Sequence, residues 1–376
     1  MVFFEKRNLI PLIPNRVRRN YRGGAGIDRL QGRDGAADSD QPEDWVASLV
    51  AAKNPGLPPV DHEGFSRCAL NAHGSVARPF LIDVIRSDPE FYLGGEYYRK
   101  HGVDLGFLLK ILDSGMRLHT QVHPTAAFAQ EYLASPYGKL ECYYILEARP
   151  GTSPYIRLGF QHLPSREEWK RIILEQDIAA MDRCFEKVPV RPGEVWYIPG
   201  GVPHAIGENI MMLEIMEPSD LVVRCEFERE GIIVPPEARF MGKDIDFCLD
   251  IFHYEEKSVE EITAAYRINP TLMGESFAFK HEQLVGSELS PGFRVERITV
   301  EPSSKFHLER SENTRAGGGL PAVALVTRGG VQFTAGNEKE ILKSGDSIFI
   351  AAGADWTGIE NKGTAAAELC LVLPAE

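Results

Sequence analysis

One pattern occurs twice in this chain, and it limits the folds available. Gly193-Glu-Val-Trp-Tyr-Ile-Pro199-Gly-Gly201-Val-Pro-His204 sets its landmarks six, two and three residues apart, and Gly345-Asp-Ser-Ile-Phe-Ile-Ala351-Ala-Gly353-Ala-Asp-Trp356 repeats those intervals. In each copy a turn leads into a hydrophobic strand and then a second tight turn. A repeat of this kind marks duplicated architecture. Ala351 replaces Pro199 and Trp356 replaces His204, so a ligand carried by the first copy is missing from the second. The expectation is two β-barrels, one active and one structural. A length of 376 residues suits two domains, and 35 Gly with 25 Pro suit many turns and short strands.

Residues 1 to about 75 are rich in Gly, Asp and Arg, and 22–44 reads as loop. Phe107–Leu112 and Leu118–His123 are short, partly alternating runs, as strands are. Pro124 suits the first turn of a short helix ending near Leu133, and Leu140–Leu146 is the next strand. Ser165-Arg-Glu-Glu168 and Ser258-Val-Glu-Glu261 are capping-box patterns that open helices to about Cys184 and Tyr266. Strand texture resumes near Phe293. The predicted fold class is mainly β, with two antiparallel jelly-roll barrels. Residues 1–240 form an N-terminal segment and the metal-binding barrel, with a helical insertion at about 165–184. A helical connector spans 241–285, and a degenerate barrel without a metal site spans 286–376.

The Gly-x5-Pro-x-Gly-x2-His spacing that ends at His204 resembles the second sequence motif of the cupins, small antiparallel barrels that grip a metal inside. A strand ends at Pro199, Gly201 permits a tight turn, and His204 enters the next strand. Gln121-Val-His123 places two donors two residues apart, on one face of a strand. Glu141 follows on the next predicted strand. Two imidazoles, a carboxylate and an amide oxygen suit Zn²⁺, and the same mixture accepts Mn²⁺, Fe²⁺ or Co²⁺.

Leu118-His-Thr-Gln-Val-His-Pro124, Gly138-Lys-Leu-Glu-Cys-Tyr-Tyr-Ile-Leu146, Tyr197-Ile-Pro-Gly-Gly-Val-Pro-His-Ala-Ile-Gly207 and Ser219-Asp-Leu-Val-Val-Arg224 follow one another in the order of the type I mannose-6-phosphate isomerase signatures, and the chain resembles that family. Phe107-Leu-Leu-Lys-Ile-Leu-Asp113, Tyr21-Arg-Gly-Gly24 and Pro42-Glu-Asp-Trp45 resemble further elements of it. The resemblance implies a metal-dependent aldose–ketose isomerase that interconverts mannose 6-phosphate and fructose 6-phosphate. It implies metal ligands at Gln121, His123, Glu141 and His204, an essential arginine at Arg224, a proton-shuttling base at Glu214 and a substrate-contacting lysine at Lys139. Taken by themselves, Glu214 and Arg224 also read as a structural ion pair and Lys139 as a surface charge, while Trp196, Tyr143 and Tyr144 read as core. Glu214 lies ten residues past His204 and shares its face if one unbroken strand carries both.

The chain departs from the family pattern where phosphate is held. His119 stands where some members have Ser, and only Arg229 remains where some place a lysine after the essential arginine. His119, Lys139, Arg229 and Arg22 are the remaining candidates for the phosphate. An unphosphorylated aldose on the same scaffold, a sugar-binding cupin without catalysis, and a metal dioxygenase are the competing readings.

The net charge of −13 disfavours nucleic-acid binding, which needs a basic face. Six scattered cysteines without a C-x-x-C pair read as reduced thiols in a cytoplasmic protein. No apolar run is long enough for a membrane helix, and Glu5, Lys6 and Arg7 interrupt any signal peptide. The expected partner is a small sugar or sugar phosphate, with no nucleic acid and no membrane, bound by a monomer or homodimer.

Overall fold

The computed structural model describes residues 5–72, 75–308, 319–354 and 357–375. Its frame is four antiparallel sheets stacked face to face, of five, seven, eight and four strands. The five-stranded sheet contains Gln121–Val122, Tyr155–Leu158, His204–Ile206 and Val223–Arg224, and the seven-stranded sheet contains Glu43–Val46, Leu108–Ser114, Glu141–Ala148, Val195–Ile198 and Ile210–Met216. Leu112, Tyr143, Ile145, Trp196 and Met212 of the larger sheet meet Ile156, Leu158 and Ile206 of the smaller, closing the first barrel. The second barrel closes likewise. Ile298, Ala324, Ile348 and Leu369 of the eight-stranded sheet pack against Phe306, Val331, Phe333 and Ile359 of the four-stranded one.

The two large sheets lie back to back. Leu109, Ile111, Tyr144, Leu213 and Ile215 meet Val295, Val323, Leu325, Phe349 and Val372, with short helices between Leu81 and His101 adding Leu81, Val84 and Tyr92. The seven-stranded sheet is therefore covered on both faces. That explains why Ile210–Met216 (IMMLEIM) and Leu108–Ser114 (LLKILDS) are buried along their whole length and lack clean alternation.

The helices Arg166–Glu175 and Ile178–Arg183 occupy the expected insertion. Two residues between them, Gln176 with a positive φ and Asp177 capping the second helix, divide what the sequence predicts as one helix. Trp169, Ile172, Met181, Leu249 and Phe252 seat this layer against Val122 and Val223. Ser258 and Glu261 form the reciprocal capping box that opens Val259–Tyr266.

Several expectations are corrected. Helices occupy only Ile245–Leu249 and Val259–Tyr266 of the 241–285 connector. Thr271–Glu275 and Phe279–Val285 are a strand pair on the eight-stranded sheet, held by main-chain pairing to Phe293–Val300. The 22–44 segment contains the helix Ala25–Leu30 and leads into the strand Glu43–Val46, both kept by burial of Ile27 and Trp45 rather than by strong local propensity. Only Gln121–Val122 of the predicted 118–123 strand is paired as a strand. Leu9–Ile13, expected with the first barrel, pairs with Ile348–Ile350 in the sheet of the second. Trp356 of the second repeat copy lies outside the described residues. No helix among the described residues is long and apolar enough to cross a membrane.

Phe349 is fully buried where the large sheets meet. Phe349→Ala should destabilise the protein by roughly 3–5 kcal/mol, the usual cost of emptying such a site. A lowered denaturant midpoint with secondary structure retained checks this.

Candidate metal centre

His204, Gln121 and Arg224 lie side by side on three neighbouring strands. Gln121 is in register with His204 on one side and with Arg224 on the other. The turn before His204 is fixed by Gly201, whose φ of +89° and closeness to the His253 ring leave no room for a side chain. Its N–H donates to the His123 carbonyl at 2.7 Å, which ties the repeat motif to the Gln-x-His segment. The facing sheet contributes a second row. Tyr143 and Lys110 flank Glu214 in register, and Trp45 follows Lys110. Glu214 thus reaches the cavity from the opposite sheet, not along a strand shared with His204.

Between the rows, His123, Glu141 and His204 place ligand atoms within 4.8 Å of one another, the only such buried trio among the described residues. Each imidazole has its tautomer set by the backbone. His123 Nδ1 donates to the Leu221 carbonyl at 2.9 Å, and His204 Nδ1 donates to the Val202 carbonyl at 3.0 Å. Both Nε2 lone pairs therefore turn inward. His123 Nε2 is 3.1 Å from Glu141 Oε1, and His204 Nε2 is 3.5 Å from Glu141 Oε2. Burial, reinforced at His123 by Lys139, pushes both imidazoles down, His123 to about 3, so both are neutral. Burial pushes the Glu141 carboxyl up, but Lys139 outweighs it and holds it well below the carboxylate range.

The two Nε2 lone pairs thus converge on the carboxylate, with N–H groups of Lys139 and Gln121 at the margin. Lys139 Nζ is 3.3 Å from His123 Nε2 and 2.9 Å from Glu141 Oε1, yet Oε1 accepts no hydrogen bond of sound geometry. Two imidazole lone pairs converging on a buried carboxylate, one of whose oxygens accepts no hydrogen bond of sound geometry, fit a divalent cation. Gln121 turns its amide nitrogen toward His204 Nε2 at 3.4 Å, and a half-turn of the amide presents its oxygen instead.

A cavity beside this trio is lined by Arg19, Tyr21, Glu43, Lys110, His119, Gln121, Lys139, Glu214, Asp220 and Arg224. A larger one, of about 440 Å³, shares Lys110 and Asp220 with it. Glu214 accepts from Lys110 at 2.6 Å, so its ion-pair partner is Lys110 and not Arg224. Burial raises the Glu214 carboxyl against the pull of Lys110. Arg224 donates to the Ala238 carbonyl at 2.6 Å and has no carboxylate within salt-bridge distance among the described residues. Burial, with Arg19 nearby, lowers it to about 10, so it stays charged. Lys139 is buried, not a surface charge. His119 lines the cavity with its ring bound to the Ile232 backbone, and burial pushes it to about 4. Arg229 does not line the cavity; it is tied to Glu226 at 2.6 Å.

Arg19, Glu43 and Lys110 are the cavity residues that the sequence reading left without roles. Glu43 accepts from Tyr21 at 2.5 Å and Trp45 at 2.7 Å, and lies 3.4 Å from Arg19 and 3.8 Å from Lys110. The usable signal was a lysine in the middle of an apolar strand, where a charge persists only if it is paired.

No family model matches the chain. It is 39% identical over 124 residues to the mannose-6-phosphate isomerase of Streptococcus mutans, across 33% of this chain and 37% of that one. It is 32% identical over 117 residues to mannose-6-phosphate isomerase ManA of Bacillus subtilis, across 31% and 35%. The chain spans about a third to a half of the length of the curated relatives it matches. In three dimensions the likeness runs through the whole chain. The crystal structure of mannose 6-phosphate isomerase from Bacillus subtilis superposes with a TM-score of 0.69 at 18% identity, covering 97% of this chain and 99% of that one. A zinc-bound mannose 6-phosphate isomerase superposes at 0.66 with 17% identity, covering 98% and 100%. The chain shares the fold of those structures.

Burial pushes the Glu43 carboxyl up, but Lys110, Arg19 and its hydrogen bonds outweigh it and hold it at about 2. A depressed carboxyl contributes stability that is present above its unfolded value and is lost as pH falls through the folded one. Glu43→Gln should therefore be less stable than the parent at neutral pH. The gap should narrow as pH drops below about 4.5 toward 2. Denaturant melts across that range test this, and a constant gap contradicts it.

Proposed function

We propose that the chain is a metal-dependent aldose–ketose isomerase that interconverts mannose 6-phosphate and fructose 6-phosphate. The observation that carries this reading is one buried cavity that joins the His123–Glu141–His204 trio to an arginine without a carboxylate partner and a carboxylate raised by burial. The names of the curated relatives support the same reaction.

His123, Glu141 and His204, with Gln121 beside them, would hold the ion, and Zn²⁺ suits that donor set. When bound there, a divalent ion supplies Lewis-acid polarisation of sugar oxygens. The chain's own residues supply the rest. Isomerisation moves a proton between C1 and C2 through an enediol, which needs a base of suitable pKa. Glu214 fills that role, since burial lifts it toward neutrality while Lys110 fixes its orientation. Arg224 offers permanent positive charge to the oxygen that becomes negative, inside a cavity where such charge is poorly screened. Lys139 and His119 contact substrate in this reading, and Arg229, held by Glu226, does not. The barrel of the five- and seven-stranded sheets carries the activity, and the barrel of the eight- and four-stranded sheets supports it. A cytoplasmic location is supported by six free, buried cysteines.

A second reading has its own observation. Arg229 is tied to Glu226 outside the cavity and Lys139 is paired with Glu141 at 2.9 Å, so two of the four candidate phosphate anchors are occupied. That favours an unphosphorylated aldose on the same scaffold.

Zinc-loaded protein should convert mannose 6-phosphate in a coupled assay, and Arg224→Ala should lower kcat by about 10²–10³, the usual loss for a transition-state charge donor. Absence of turnover with either sugar phosphate removes the reading. A kcat/KM for mannose equal to or above that for mannose 6-phosphate selects the second.

A further inference from the structure

Glu141 is held by a partner that the site described so far does not use. Tyr143 stands two residues further along the same strand, on the same face, and donates its hydroxyl to Glu141 Oε2 at 2.6 Å. Both side chains are fully buried. Tyr143 is in register with Trp196 on one neighbouring strand and with Glu214 on the other, so its ring sits in the packed floor of the barrel. Trp196, Ile145 and Met212 belong to the same core cluster and leave the ring little freedom.

A carboxylate has two oxygens, and these are treated differently. Oε2 takes a short hydrogen bond from a rigid phenol. Oε1 takes no hydrogen bond of sound geometry and faces His123 Nε2 at 3.1 Å and the Lys139 ammonium at 2.9 Å. A glutamate has three side-chain torsions, and ordering a chain of that kind costs rotamer freedom. The phenol holds Glu141 already ordered by fixing one oxygen, and that leaves the other turned to His123 and Lys139.

We infer that Tyr143 is a positioning residue of the metal centre, which orients the Glu141 carboxylate so that Oε1 is the oxygen offered to the cation. The inference rests on the proposed metal site. It also gives the aromatic run Cys142-Tyr143-Tyr144 two different jobs. Tyr144 points to the other face and bonds Glu368 of the second barrel at 2.9 Å.

The test compares zinc-free wild-type protein with Tyr143→Phe, which deletes one buried oxygen and keeps the ring. Zinc affinity is measured by competition with a chromophoric chelator, and the cobalt-substituted forms are compared by visible absorption. Wild type should bind one zinc per chain. Y143F should bind zinc about 10- to 100-fold more weakly, the usual cost of losing a partner that orients a ligand. Its cobalt spectrum should change while the circular dichroism of the metal-free protein stays the same. Y143F that holds zinc within about twofold of wild type, with an unchanged cobalt spectrum, overturns the inference and leaves the metal site standing. Wild type that binds no zinc overturns the metal site and the inference with it. Should Y143F fail to fold, the wild-type tyrosine ultraviolet spectrum decides. A difference band that grows with zinc and stops at one equivalent supports the role, and a flat spectrum overturns it.

Discussion

Charge balance inside a closed barrel is the constraint on which the rest of this structure depends. The seven-stranded sheet is buried on both faces, so no charge on its inner face can reach bulk water by turning outward. Arg19, Lys110, Lys139 and Arg224 nonetheless share the cavity with Glu43, Asp220 and Glu214, and Glu141 lies beside it. Four cations meet four carboxylates. Most are in contact: Lys110 with Glu214, Arg19 with Glu43, Lys139 with Glu141. Buried charges survive on such terms and not singly. A divalent ion at the histidines would shift this balance to net positive. An anionic substrate or a developing enediolate would then restore neutrality, in a place where Coulomb forces are weakly screened.

Within that balance, Arg224 is the group left over. Its register partner is Gln121 and its hydrogen bond goes to a backbone carbonyl, so its charge is not spent on a carboxylate. Glu214 is in the opposite position, paired with Lys110 yet raised by burial. Environments that push neighbouring groups apart in this way are typical of sites that move protons. The chemistry assigned to the two residues follows from this asymmetry.

The metal-capable trio was legible in the sequence because its spacing is local. Gln121 and His123 stand two residues apart at the end of one short strand, and Gly201 and His204 lie within one turn. The duplicated barrel was legible for the same reason, since the repeat is written in turn residues. What the sequence did not show depends on long-range pairing. Glu43 and Lys110 meet only because Glu43–Val46 pairs beside Leu108–Ser114, and no local pattern specifies that neighbour. The strand pair at Thr271–Val285 was missed because its residues are half-exposed at a sheet edge and lack the alternation of a half-buried strand. Arg229 was misplaced by proximity in sequence to Arg224; Glu226, between them, captures it.

The second barrel has no equivalent of His204, yet the cavity depends on it. Its sheet covers Leu109, Ile111, Leu213 and Ile215, the backs of the strands whose fronts carry Lys110, Leu112 and Glu214. Exposed to water, that apolar face would cost about 25 cal/mol for every Å² left uncovered. The anchoring is also covalent in effect. Leu9–Ile13 is woven between Ile348–Ile350 and Arg67–Cys68 before the chain crosses to pair Arg16–Val17 with Glu43–Asp44. Arg19 and Tyr21, both against Glu43 in the cavity wall, follow within a few residues. The segment that supplies them is therefore held at one end by the second barrel, which keeps the cavity wall of the first in place.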